Sequence, residues 1–338
     1  MTKLKGILNV FILLCTCLPV KAANPNMKLP AEAFWIKNHW KSANGLILAE
    51  PVNWRKVSGY EVVIKGTDQH INTKGLDKLF MSGSASPTLG ALRWLQETYG
   101  LKHPVYIIDL RQETHLLLNE LPISIFYKKD QINWGKSSAE ISESEQNWVK
   151  QILAEKTVRI NTLGRPKDGF KVPIDPVTIS VKTVSTEAQA VEKAGMNYFR
   201  IPVPDYHPPS PQQVDQFLTL IKKIPSDSWL HFHCAAGKGR TTLFMVMRDI
   251  IANGKELSLE DIVNRQNALG GINLLGQSKS LAVQPWKRQY HQARVEFLKL
   301  FYTYIHTDAY LNQKFGTWIV KQPNSAYKSF IGTEAYQR

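Results

Sequence analysis

Residues 229–246 read WLHFHCAAGKGRTTLFMV, and the way this run divides decides the fold. Trp229–His233 is short and apolar, the pattern of a buried strand. Thr241–Ala252 resumes as a helix. Between them Cys234 and Arg240 are separated by five residues, two of which are Gly237 and Gly239. Glycines let successive backbone N–H groups turn inward toward an anion, and the following helix aims its N-terminus at the same space. Arg240 can grip two oxygens of a phosphate at once. Ala235, Ala236 and Lys238 complete the cradle, with Lys238 as a basic wall. These positive ends lower the thiol pKa below its ordinary value of about 8.5 and suit Cys234 to attack on phosphorus. The Thr241 hydroxyl can donate to the sulfur, and His233 can orient the loop.

Working outward, the preceding unit is a strand over Tyr198–Ile201 followed by Val203-Pro204-Asp205-Tyr206-His207-Pro208-Pro209. A phosphate ester needs a general acid for its leaving oxygen, and Asp205 occupies a proline-rich loop that could carry an acid over a pocket. An ordinary turn residue fits the position as well. Ser210 to Gln213 is a capping box that opens a helix, with Val214, Phe217, Leu218 and Ile221 on its apolar face. Farther upstream, Ser86-Pro87 opens a helix closed by Gly100, and Val105–Leu110 is a buried strand. Residues 119–185 are β-rich, with strand-like runs at Thr157–Asn161 and Val177–Val184 and a helix near Glu140–Leu153. Glu187–Ala194 is helical. Ser258 to Asp261 starts another helix, and Pro285 begins a long final helix to about Thr307. Alternating helices and strands imply an α/β architecture. The divisions are 1–22, 23–118, an inserted β-rich subdomain over 119–185, and 186–338.

The amino terminus reads as a signal peptide. Lys3 and Lys5 precede the apolar run Gly6–Val20, and Val20-Lys21-Ala22 fits cleavage after Ala22. The expectation is an exported protein, periplasmic or secreted. The 338 residues carry a net charge of +14; cleavage would remove three lysines and no acid, leaving +11. Such an excess favours an anionic partner. Cys15 and Cys17 leave with the leader, so Cys234 would be a lone thiol and no internal disulfide could form. No integral span, no metal-ligand spacing and no cofactor fingerprint is expected, and aromatic-basic repeats for nucleic acid are lacking.

At these residues the chain resembles the cysteine-dependent phosphatases and, more narrowly, the bacterial protein-tyrosine-phosphatase-like phytases. The resemblance covers most of 75–320. It rests on Gly75–Leu79, Met81–Ala85, Ile107–His115 (IIDLRQETH), Ala194–Ile201 (AGMNYFRI), Trp229–Cys234, Arg240–Thr242, Phe244–Met247, Arg265-Gln266 and Trp286-Lys287. It implies a phosphatase core, a mixed sheet flanked by helices, with a partial β-barrel attached. It further implies a myo-inositol polyphosphate as a highly anionic small substrate, Cys234 as nucleophile, Arg240 as phosphate binder and Asp205 as acid. Lys287 and Tyr290 on the last helix would face the ring, as would Arg55, Lys56 and His207. Tyr206 stands between the acid and His207, where the family often has histidine directly. Lys287 equally fits a solvated helix face, Tyr290 core packing, Arg111 with Glu113 a structural ion pair, and His115 a core histidine. A protein-tyrosine or dual-specificity phosphatase and a phosphoinositide phosphatase stay open as alternatives; oligomeric state does too.

Overall fold

The computed structural model describes residues 35–38, 55–57, 71–127, 130–163, 173–276 and 284–336. The leader read at 1–22 lies outside the described residues. In chain order the strands and helices are β1 (Trp35–Asn38), β2 (Arg55–Val57), β3 (Met81–Ser84), α1 (Leu89–Tyr99), β4 (Val105–Asp109), β5 (His115–Leu118), β6 (Leu121–Phe126), α2 (Ser138–Ala154), β7 (Thr157–Leu163), β8 (Pro173–Ser180), β9 (Val184–Thr186) and α3 (Glu187–Lys193). Then come β10 (Asn197–Arg200), α4 (Pro211–Lys223), β11 (Trp229–His233), α5 (Gly239–Asn253), α6 (Leu259–Ala268), α7 (Arg288–His306), α8 (Ala309–Asn312), α9 (Phe315–Val320) and α10 (Ala326–Ile331).

Two sheets result. One has the order β10-β4-β11-β3-β2; its four strands β10, β4, β11 and β3 run parallel, and β2 pairs antiparallel at the edge. β11 is central and buried along its whole length. Helix α5 follows it into the core, where Leu243, Phe244, Met245, Val246, Met247 and Ile250 are all inaccessible. The stretch Arg240–Met247 is buried on every side and cannot shift without opening the core, so the loop between β11 and α5 is fixed at both ends. The carboxyl ends of β3, β4, β10 and β11 point the same way, and in such sheets that edge is where ligands bind.

The second sheet has the order β8-β7-β1-β6-β5-β9. It does not lie wholly within 119–185, because β1 and β5 precede that span and β9 runs one residue past it. The single run expected over Val177–Val184 is two strands. Asn119, in the left-handed region at φ 49°, accepts from the Lys182 and Thr183 amides and breaks the strand there. α1 starts two residues later than Ser86-Pro87 suggests: Thr88 is the cap, its hydroxyl accepting from Ala91. The α4 capping box on Ser210 is present in full. α7 is not the final helix; α8, α9 and α10 pack after it. Among the described residues no helix is long and apolar enough to cross a membrane.

Candidate active site

Four chain segments leave the carboxyl ends of the parallel strands and meet. β3 runs into Ala85-Ser86, β4 into 110–113, β10 into the loop of Asp205, and β11 into Cys234–Arg240. The floor is braced from below by a chain of hydrogen bonds whose direction is fixed by its ends. Trp229 Nε1 can only donate, and it donates to Ser82 Oγ at 2.9 Å. Ser82 then donates to His231 Nδ1, also at 2.9 Å. His231 Nε2 donates to Ser84 Oγ at 3.0 Å, and Ser84 donates to the Ala85 carbonyl at 2.6 Å. Against this floor the loop approaches closely. Gly237 has φ +68°, and a Cβ there would stand 2.3 Å from the Ala85 amide nitrogen, so only glycine fits.

Cys234 is buried at the base of the loop, and its Sγ accepts from the Thr241 hydroxyl at 3.1 Å. Arg240 sits in the first turn of α5. Its guanidinium is held by both oxygens of Glu113, at 2.7 and 2.8 Å, and by the Val203 carbonyl at 2.9 Å. Asp205 Oδ1 lies 3.2 Å from Arg240 Nη2, with its side chain partly exposed. The Cys234 thiol, the Arg240 guanidinium and the Asp205 carboxyl therefore come together beyond the carboxyl ends of the parallel strands. Lys238 is exposed, as is Ala236, and Ala235 is half-buried.

Glu113 is the central carboxylate beneath. Besides Arg240 it accepts from Arg111 Nε at 2.9 Å. Burial works to raise its pKa, but the two guanidiniums outweigh that and hold it well below the usual carboxylate range. Arg111 also donates to Ser86 and Ser124. A second group of charges lies alongside. His233 Nε2 is 2.6 Å from Glu187, the first residue of α3. His115 Nε2 is 3.2 Å from both Asp109 and Glu187. Burial alone would lower the His115 pKa, but Asp109 overrides it and pushes it up to about 9. Burial likewise opposes ionisation of Glu187, yet the two histidines hold it at about 2. Arg200 joins Asp109 to Glu145 of α2, at 3.2 and 2.8 Å. The second sheet, which carries His115 and Ser124, is thereby tied through buried ions to the end of β11, where the Cys234 loop begins.

The outer positions divide. Lys287 is half-buried in the 3-10 turn before α7, with its ammonium 4.9 Å from the Tyr206 ring centroid and 5.4 Å from that of Trp286. Tyr290 packs against Tyr206 and His207 at 6.0 and 4.9 Å between centroids. His207 does not face the bowl, contrary to the expected substrate role. It is 2% exposed, boxed by aromatic rings, and burial lowers its pKa to about 4. Arg55 and Lys56 lie on the edge strand β2, paired with Gly83 and Ser82 of β3. Sequence reasoning passed over Arg294. It reaches the loop from α7, so close that a Cβ on Gly239 would stand 2.9 Å from its Nη1. Burial lowers its pKa, while Asp205, Tyr206 and Cys234 act in the opposite sense. It was within reach of a pattern argument: Lys287, Tyr290 and Arg294 fall at i, i+3 and i+7. Glu113, read as a local partner of Arg111, also serves Arg240.

The relatives are consistent in kind. A family model for PTP-like phytases, described by the words inositol hexakisphosphate, matches residues 108–252. The PTP-like myo-inositol phosphatase of Mitsuokella multacida, solved with myo-inositol-(1,3,4,5)-tetrakisphosphate, is 33% identical with a TM-score of 0.72, over 85% of this chain and 49% of that one. A PTP-like phytase from Bdellovibrio bacteriovorus is 26% identical with a TM-score of 0.65, over 86% of this chain and 97% of that one. Effector protein hopD2 of Pseudomonas syringae pv. tomato is 29% identical over 207 residues, 60% of this chain and 42% of the effector. The chain thus spans about half the length of the Mitsuokella protein and less than half of the effector.

Proposed function

We propose, from the match of residues 108–252 to the PTP-like phytase model and the likeness to solved PTP-like phytases, that the chain hydrolyses phosphomonoesters of myo-inositol polyphosphates through a phosphocysteine intermediate. One observation carries the reading: Cys234 Sγ, the Arg240 guanidinium and the Asp205 carboxyl converge beyond the carboxyl ends of the parallel strands, with Arg240 held by both oxygens of Glu113.

The phosphoryl group docks on inward loop amides, the α5 N-terminus and Arg240. The Cys234 thiolate attacks in line, forming an S–P bond as the P–O ester bond breaks. Asp205 gives its proton to the departing inositol oxygen. Water then attacks phosphorus, Asp205 takes a proton from it, and the S–P bond breaks to return the thiolate and release phosphate. Arg240 follows the equatorial oxygens through both steps, where charge is spread over them. Thr241, donating to sulfur, favours the thiolate both as nucleophile and as leaving group. The net charge, +14 for the full chain and +11 without residues 1–22, suits a substrate bearing many phosphates. Lys238, Lys287 and Arg294 are cations placed to meet the neighbouring ones. Export of the chain, favoured by the apolar run before Ala22, belongs to the same reading and is checked by sequencing the amino terminus of the mature product.

The deciding experiment measures phosphate release from inositol hexakisphosphate, a phosphotyrosine peptide and a phosphoinositide, for the wild type and Cys234→Ser. The expected result is preference for the hexakisphosphate and a fall of roughly a thousandfold or more in Cys234→Ser. A tenfold preference for the peptide, or an unaffected serine variant, overturns the proposal.

A further inference from the structure

The loop that carries Asp205 has an unusual hydrogen-bonding problem. Pro202, Pro204, Pro208 and Pro209 bring four carbonyl acceptors and no N–H donor, and all four residues are buried. Buried carbonyls must find donors elsewhere. The structure supplies each one. The His207 amide donates to Pro204 at 3.2 Å, and the Gln213 side chain to Pro202 at 2.7 Å. The other two donors come from the far end of the chain: Tyr327 Oη donates to the Pro209 carbonyl at 2.9 Å, and Tyr336 Oη to that of Pro208.

The same terminal segment encloses His207. Rings of Phe330 and Tyr336 lie 5.2 and 5.5 Å from it, between centroids, and Tyr290 and Trp134 close the other sides at 4.9 and 5.6 Å. His207 Nδ1 in turn donates to the main-chain carbonyl of Asp205 at 2.7 Å. The segment is anchored independently of the loop. Glu296 of α7 accepts from the Tyr327 amide at 3.3 Å, and Gln112, next to Glu113, donates to the Ala335 carbonyl at 3.3 Å.

We propose that residues Ala326–Tyr336 form a positioning clamp, in which Tyr327 and Tyr336 hold the proline loop and, through His207, keep the Asp205 carboxyl over the bowl. The proposal rests on the reading that Asp205 is the general acid. The loop that the sequence suggests could carry an acid over a pocket is thereby locked by donors from Tyr327 and Tyr336. None of these clamp residues touches the reacting atoms.

The test uses the full chain with Tyr327→Phe and Tyr336→Phe, singly and together, which remove the hydroxyls and keep the rings. Each is assayed on an alkyl monoester, inositol hexakisphosphate, and on an aryl monoester with a good leaving group, p-nitrophenyl phosphate. A misplaced acid penalises only the leaving group that needs a proton. Since acid catalysis contributes about 10²–10⁴-fold, the double variant is expected to lose about tenfold in kcat on the alkyl ester. KM should not change, loss on the aryl ester should be under about twofold, and the alkaline limb of the pH–kcat profile should flatten. Equal losses on both esters, or none on either, overturn the clamp. If the double variant does not fold, the single variants and Phe330→Leu give the same comparison. Should the wild type prefer another alkyl phosphate to inositol hexakisphosphate, the substrate proposal fails. The alkyl-to-aryl ratio on that substrate still decides the clamp.

Discussion

Arg240 serves a phosphate only if its guanidinium is already aimed when the ligand arrives, and Glu113 does the aiming with both oxygens. Glu113→Gln keeps the shape but removes the charge from between two buried arginines. It should lower kcat/KM about a hundredfold and cost about 3 kcal/mol of stability, because breaking a buried pair strands a charge; steady-state kinetics and denaturant unfolding measure the two separately. Thr241→Val removes the donor to Cys234 Sγ. A hydrogen bond of this kind is worth about 0.5–1.5 kcal/mol, so alkylation of Cys234 by iodoacetate should slow severalfold. A rate equal to wild type would remove Thr241 from the account. At this scale the sequence was informative where function needs residues close in the chain: Cys234, Arg240 and Thr241 sit on one loop and its helix. It offered Glu113 only its local partner Arg111 and passed over Arg294, because Arg240 and the Cys234 loop, which these two residues serve, lie far from them in sequence. Arg-x-Glu spacing reads equally well as a local pair, which Glu113 also makes.

Among elements, the decisive arrangement is that four parallel strands end together and the second sheet braces them. Strand and cap signals carried well where the chemistry is local. The cap read at Ser210 is present with its reciprocal glutamine bond, and Ser258 accepts from the Asp261 amide as expected; the structure adds boxes at Thr186 and Ser137. The α1 start was misread because the Ser86 hydroxyl is taken by Arg111 at 2.7 Å, which leaves Thr88 to cap. The second sheet was only half legible, since β1 pairs antiparallel with β6 across nearly ninety residues and periodicity says nothing about such pairing. Leu117 of β5 packs with Val105, Ile107 and Trp229 of the first sheet, and the rest of the tie is ionic: Glu145 of α2 accepts from Arg200 at 2.8 Å and from the His115 amide at 3.1 Å. Glu145→Ala would leave Arg200 with one carboxylate partner fewer in a buried site. A loss of about 3 kcal/mol is expected by denaturant unfolding, with activity falling less than in Glu113→Gln. A cost under about 0.5 kcal/mol would mean that the two sheets are held by packing alone.

For the whole molecule, two buried histidines set opposite limbs of a pH–stability profile. Burial holds the His207 pKa at about 4, against an unfolded value near 6.5. Between those values the unfolded chain binds a proton that the native state refuses, so stability rises with pH across that window. His115 behaves inversely. Its carboxylate neighbours hold its proton until about pH 9, so its stabilisation is complete below pH 6.5 and drains away as pH climbs toward 9. At about 1.4 kcal/mol per unit, each limb amounts to about 3 kcal/mol before coupling among these charges is counted. Glu187, held at about 2, steepens the acid side below pH 4.5 with the same sign as His207. Stability measured by urea unfolding should therefore peak near pH 6.5. His115→Gln should flatten the alkaline limb and leave the acid limb standing. A wild-type profile still rising at pH 8.5, or an alkaline limb unchanged in His115→Gln, would show that His115 does not carry the charge balancing Asp109 and Glu187 beneath the phosphate bowl.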